Sequence, residues 1–162
     1  MRTHSGFTAI AAALTSLARA ALAGANVANA QSDVDGVKSA SKAFYTALAA
    51  VDGGAAMAKV WAQTPYITYV GPRDKTITVG WDAQKAMWPA VDALFTKRSV
   101  SLSQQFVHVN GNLGWEMGNE TGELVTKGGA TVKIDSLVTN VYEKQADGRW
   151  LIVSHHVQPK PQ

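Results

Sequence analysis

The sequence predicts an α+β domain, helices first and a meander of long antiparallel strands afterwards. Three observations carry this. Apolar residues recur every three or four positions in the first half; from Ser99 onward the period drops to two; and Gly- and Asn-rich turns divide the second half into long segments. A chain of 162 residues that is 46% apolar and 17% charged is long enough for one core and short for two. No cysteine is present, which excludes disulfide scaffolds, thiol redox chemistry and thiolate metal ligation. No repeat or linker appears, so residues 31–162 read as one domain.

The elements follow in order. Val34, Val37, Ser41, Phe44, Leu48 and Val51 form the apolar stripe of a helix from Asp33 to Val51, with Ser32 or Asp33 as N-cap and Asp52-Gly53-Gly54 as its stop. Ala55 to Ala62 reads as a short second helix carrying Met57, Val60 and Trp61. Tyr66 to Val70 reads as a strand, closed by the turn signal Gly71-Pro72-Arg73-Asp74, and Thr76 to Val79 as the strand returning from it. A third helix spans Asp82 to Thr96, with a kink or break expected near Trp88 because Pro89 lies inside it. Strands are then expected at Val100–Val109, Leu113–Thr126, Thr131–Lys144 and Arg149–Gln158. The turns between them are Asn110-Gly111-Asn112, Lys127-Gly128-Gly129 and Ala146-Asp147-Gly148.

Ahead of these elements lies a processing pattern. Residues 1–30 hold Arg2 and Arg19, no acid, an Ala- and Leu-rich run, and a closing Ala28-Asn29-Ala30. This predicts a signal peptide cut after Ala30 and a secreted or periplasmic protein. A mitochondrial presequence and an uncleaved anchor are the rival readings; the apolar run falls short of the roughly 20 residues a spanning helix needs. Removing Arg2 and Arg19 leaves 13 basic against 12 acidic residues, scattered along the chain. A phosphate backbone needs a clustered basic patch, so no nucleic-acid partner is expected, nor any membrane association after cleavage.

The order of elements resembles the NTF2-like superfamily, within it the SnoaL-like and ketosteroid-isomerase-like branch. The matching stretches are Ala43 to Gly54, Tyr69-Val70-Gly71-Pro72, Gly80-Trp81-Asp82 and Asp147 to His156. The resemblance implies a cone: three N-terminal helices packed in a strongly curved antiparallel sheet, an apolar pocket at the open end, and frequent homodimerisation through the outer sheet face. It implies no single chemistry, since members include isomerases, cyclases, dehydratases, hydrolases and binding or assembly domains. Ketosteroid-type isomerases set a base carboxylate before the proline that follows the first strand, and here Gly71 stands there. They pair a first-helix tyrosine, near Tyr45, with a protonated acid on the penultimate strand, where Val138 or Asn140 falls. Isomerase or cyclase activity of that type is therefore disfavoured.

Candidate site residues follow from strand parity. Leu151, Val153, His155 and Val157 share one face of the last strand and are assigned to the interior, His156 to the outside. His155 is then the candidate general base, against the bland reading of a hydrogen-bonded structural histidine. Ile134, Ser136, Val138, Asn140 and Tyr142 share the interior face of the preceding strand, where Asn140 and Tyr142 can bind a ligand or simply complete the core. On the strand before that, Trp115, Met117, Asn119 and Thr121 are assigned to the interior as a ligand wall. Glu116 and Glu120 are assigned to solvent or a dimer face, about 13 Å apart by strand rise and too far for paired-carboxylate catalysis. Trp61, Trp81 and Trp88 read as core. No metal-ligand spacing, phosphate loop or dinucleotide fingerprint occurs, and no cofactor is expected. The expected function is binding of a small apolar or aromatic molecule, with acid/base chemistry through His155, assisted by Tyr45 and Asn140. A non-catalytic homodimerisation module is the alternative.

Overall fold

The structure, a computed structural model, describes residues 29–161; the expected leader, apart from residues 29 and 30, lies outside them. Everything below concerns the compact unit Val34–Gln162. Helix α1 is helical over residues 29–49, so Ser32 and Asp33 lie within the helix and do not cap it. Inside the unit it buries Val37, Ser41, Phe44, Tyr45 and Ala47 on one face, the three-and-four spacing of its apolar stripe. The expected second helix is a single 3-10 turn, Met57–Lys59. Asp52 accepts from the Gly54 and Ala56 N–H groups at 3.1 and 2.9 Å and ties the connection to that turn.

Strands β1 (Thr68–Val70) and β2 (Thr78–Val79) form the expected hairpin and lead into helix α2 (Trp81–Asp92). Pro89 does not break α2; the helix continues to Asp92, with the Ala93 N–H bonded to the Pro89 carbonyl. Lys85 and Pro89 both sit on the exposed side, so the carbonyl that proline leaves without a helical donor faces solvent, where the loss is small. The long strands are β3 (Phe95–Asn110), β4 (Leu113–Thr126), β5 (Thr131–Lys144) and β6 (Trp150–Pro159). Strand β3 begins five residues earlier than its periodicity suggests, because Phe95 to Arg98 pair with Thr126 to Leu124 of β4.

The six strands make one curved sheet in the order β2-β1-β6-β5-β4-β3. All pairings are antiparallel except β1 with β6, so the sheet is mixed where an antiparallel one was expected. Phe44, Trp61, Tyr69, Trp88 and His155 fill the inside as a chain of ring contacts. Phe44 meets Trp61 at 6.2 Å and His155 at 5.0 Å; Tyr69 stacks on His155 at 5.3 Å and meets Trp88 edge-on at 5.8 Å. Burying roughly 150–250 Å² for each aromatic ring makes this cluster the main source of cohesion. At the far side Arg98 and Asp92 form a buried ion pair at 2.6 Å, and the Gly53 N–H donates to the same carboxylate at 2.7 Å. That contact fastens the end of α1 to the α2–β3 junction.

Two local irregularities decide which side chains face inward. The β5–β6 register shifts between Val141 and Tyr142, where Val153 is the extra residue. His155 and Val157 therefore point inward as expected, but beyond the shift Trp150 and Ile152 are buried too, against the simple parity that set them outside. The β3–β4 register shifts between Ser103 and Phe106, and Gln104 there adopts a positive φ of 50°.

Candidate buried acid/base site

The inner face of β4 reads Gly114, Glu116, Gly118, Glu120, Gly122, and this inverts the expected parity. Glu116 is fully buried and Glu120 is 4% exposed, whereas Trp115 and Met117 are 42% and 54% exposed. Asn119 bonds Gln104 on the exposed side. Trp115, Met117 and Asn119 therefore do not wall the interior. The physical reason is register. The β4–β5 hairpin pairs Glu116 with Asn140 and Glu120 with Ser136, so the strand that sends Asn140 inward sends the glutamates inward with it. The alternating glycines make room: a Cβ at Gly114 would stand 2.6 Å from Val37 of α1.

Three donors converge on Glu116. Its Oε1 accepts from Asn140 Nδ2 at 2.7 Å and from the Tyr142 hydroxyl at 2.6 Å, and its Oε2 accepts from Gln105 Nε2 at 2.6 Å. Among the described residues no arginine or lysine bonds it; neutral donors hold it. Gln105 reaches it because the β3 bulge carries the chain through the strained Gln104 and re-aims the next side chain. Tyr142 keeps its proton, its hydroxyl pushed well up by burial and then by the charge of Glu116.

Glu120 accepts from the Tyr45 hydroxyl at 2.9 Å. Burial pushes the Glu120 carboxyl up to about 7, the Tyr45 bond opposes the rise, and the charge of Glu116 adds to it. Tyr45 is itself pushed far above its ordinary range, by burial first and then by Glu120, so Glu120 is the member of the pair that titrates. The labile proton of the pair is thus the one on Glu120.

His155 lies behind this pair. Because Asn140 Nδ2 is given to Glu116, its Oδ1 is the acceptor that faces His155 Nδ1 at 2.7 Å, which fixes the proton on Nδ1. Burial, and secondarily the nearby His156, pushes His155 down to about 3. It is neutral throughout the physiological range and sandwiched between Phe44 and Tyr69. Val153 is buried in the core. The residues that come together are therefore Tyr45, Asn140, Tyr142 and His155, joined by Glu116, Glu120 and Gln105, which parity reasoning missed.

A cleft of about 470 Å³ opens onto this network between α1 and β3. Lys38, Ser41, Lys42, Tyr45 and Thr46 line one wall, and Val100, Ser101, Leu102 and Gln105 the other. Tyr45 and Gln105, one on each wall, are also donors to the two buried carboxylates. Among the described residues no three His, Asp or Glu side chains converge on a metal position, and no helix is long and apolar enough to cross a membrane.

The SnoaL-like domain profile matches residues 37–158, from the first buried residue of α1 to the end of β6. The chain belongs to the SnoaL-like family. Solved structures carry the same fold. A proposed dehydratase of the NTF2-like family from Streptomyces avermitilis superposes with a TM-score of 0.69 at 22% identity, over 82% of this chain and 99% of its own. A proposed ketosteroid isomerase from Parabacteroides distasonis gives 0.60 at 21% identity, over 76% and 85%. A proposed calcium/calmodulin-dependent protein kinase type II association domain from Thiobacillus denitrificans gives 0.64 at 25% identity, over 76% and 94%. No curated protein matches the chain. The SnoaL-like domain therefore has the NTF2-like cone, and its chemistry has to be argued from its own residues.

Proposed function

We propose that this SnoaL-like protein binds a small apolar or aromatic molecule in the α1–β3 cleft and exchanges a proton with it through Tyr45 and Glu120. The observation that carries the reading is the buried Tyr45–Glu120 hydrogen bond, whose tyrosine lines an open cleft. Tyr45 is the group that meets the ligand. When Glu120 is ionised, the Tyr45 O–H donates to it and the phenolic oxygen can accept a proton's hydrogen bond from the ligand. When Glu120 is protonated its O–H donates to Tyr45, which turns its own O–H into the cleft. Proton movement along this pair supports abstraction and return of a proton beside a carbonyl. Glu116 holds Asn140 and Tyr142 in place, and His155 positions Asn140. That assignment moves the acid/base role from His155 to Glu120.

A test is proton–deuterium exchange at carbon next to the carbonyl of aryl ketones in D₂O, followed by NMR. The wild-type protein accelerates exchange, and Glu120→Gln and Tyr45→Phe each lower the rate by about 10²-fold or more. Exchange no faster than in buffer, or unchanged in both variants, contradicts the reading. A ketosteroid-type mechanism stays disfavoured. Gly71 replaces the usual base, and the nearby Asp74 carboxylate is used by the Gly71 N–H at 2.7 Å.

A second reading has its own observation. The outer sheet face exposes Phe106 (73%), Met117 and Trp115, with Trp115 packed against His108 at 4.4 Å. We propose that a second copy of the chain covers this face. Export to the periplasm or the extracellular space is likewise a proposal, supported by the Ala28-Asn29-Ala30 pattern.

A further inference from the structure

The α1 wall of the cleft carries two cations and no acid. Of the α1 residues that line the cleft, Lys38 and Lys42 are charged and none is acidic; Asp35 stands one turn before Lys38, outside the cleft lining. These two lysines stand one turn apart on the same face, an arrangement that is mildly repulsive on a helix unless something negative lies beside it. Both line the cleft, and neither makes an ion pair with a carboxylate of the described residues. Lys97, Arg149 and Lys160 pair with Glu123, Asp147 and Asp135, whereas Lys59, Arg73, Lys75, Lys85, Lys127 and Lys133 make no ion pair among the described residues, so what sets Lys38 and Lys42 apart is their place on the cleft wall.

The opposite wall supplies the other half of a ligand description. Val100 and Leu102 offer an apolar side to a flat or aliphatic body, and Tyr45 and Gln105 add polar lining. Helix rise sets the scale: from Lys38 to Tyr45 is about 10 Å along the axis, and Lys42 lies between. A molecule that spans the lysines and Tyr45 is therefore about one substituted ring long, well within the cleft's volume of about 470 Å³.

We propose that the cleft takes a small organic anion, an aromatic or short-chain carboxylate, with its charged end at Lys38 and Lys42 and an uncharged carbonyl or hydroxyl at Tyr45. This rests on the reading above, that the cleft leading to Tyr45 and Glu120 is the ligand site, and adds the charge and polarity of the ligand. The strained bulge fits the same purpose. Gln104 is held at a positive φ, and the next residue, Gln105, lines the cleft with its amide committed to Glu116.

The test uses 4-acetylbenzoate and its uncharged counterpart 4-acetylbenzamide, titrated into the full-length chain by NMR. Backbone resonances of residues 38–46 and 100–105 are followed at pH 6.5. The anion is expected to bind at least 10-fold more tightly than the amide, and the preference to shrink with added salt. In the Lys38→Gln/Lys42→Gln double variant the two affinities become equal, while the thermal melt, which reports folding, is unmoved. An amide that binds as well as the anion, or a preference that survives in the double variant, overturns the proposal and leaves the site itself standing. If neither compound shifts those resonances, the proposal and the ligand-site reading both fall.

Discussion

The Tyr45 hydroxyl lies 2.9 Å from Glu120 Oε1, joining a residue of the first helix to a residue 75 positions later on the inner face of β4. This contact ties helix to sheet and places a titratable carboxyl at the back of the cleft. Deleting one partner leaves the other buried and unsatisfied. Tyr45→Phe is expected to cost roughly 1–3 kcal/mol in urea unfolding, with the loss greater at pH 8, where Glu120 is charged, than at pH 5.

Stability should carry the mark of two opposed titrations. Glu120 binds its proton more tightly folded than unfolded, so its contribution is complete at low pH and is lost as pH rises through about 7. His155 is held neutral with a folded value near 3, so its contribution is complete above about 6.5 and is lost as pH falls toward 3. The two offset one another between roughly pH 4.5 and 6.5. Above that only Glu120 acts, and the unfolding free energy from urea titrations should fall by about 1 kcal/mol from pH 6.5 to 8. In Glu120→Gln that fall disappears.

Glu116 is structural in a specific sense: it is the shared acceptor of Gln105, Asn140 and Tyr142. Glu116→Ala strands at least two buried donors and is expected to cost roughly 3 kcal/mol or more. His155→Ala strands only Asn140 Oδ1 and opens a cavity between Phe44 and Tyr69. Because Asn140 links the two sites, the double variant should cost less than the sum of the singles, a coupling that a double-mutant cycle measures.

How much of this could be read from the chain follows from which signals are local. The ends of β4 and β5 coincide with their expected limits because glycine turns bracket them. β4 faces opposite to the expectation, because sorting residues by type sends the apolar ones inward while the cone buries Glu116 and Glu120. Two signals pointed the other way. Gly114 marks where α1 comes close and Gly118 and Gly122 where β3 does, and a hairpin register that pairs Glu116 with Asn140 cannot turn Trp115 and Asn140 to the same face. Gln105 was not legible at all, since it depends on a bulge that no turn residue announces.

Two glycines make the packing claim measurable. At Gly122, φ is +153° and an added Cβ would stand 1.9 Å from the Ser99 carbonyl oxygen on β3. Gly111 sits at φ +61° with nothing within 4 Å. Gly111→Ala should therefore cost about 1–2 kcal/mol, the conformational term alone, and Gly122→Ala several times that or no folded protein. Equal losses would mean that β3 and β4 are not in this register.

The outer face yields a separate expectation. If a second copy covers Phe106, Trp115 and Met117, Trp115→Glu converts a dimer to a monomer in sedimentation at micromolar concentration. Since none of these side chains touches Tyr45 or Glu120, proton exchange should persist per chain.

The most direct test of the central claim is the ionisation of Glu120 itself. In protein labelled with ¹³C at the glutamate carboxyl, one resonance that vanishes in Glu120→Gln should titrate with a midpoint near 7, and Tyr45→Phe should move that midpoint upward by removing the donor that favours the charged form. A midpoint in the ordinary carboxylate range, unmoved by Tyr45→Phe, would contradict the account: Glu120 would then be a solvated surface acid and not the proton store behind the cleft.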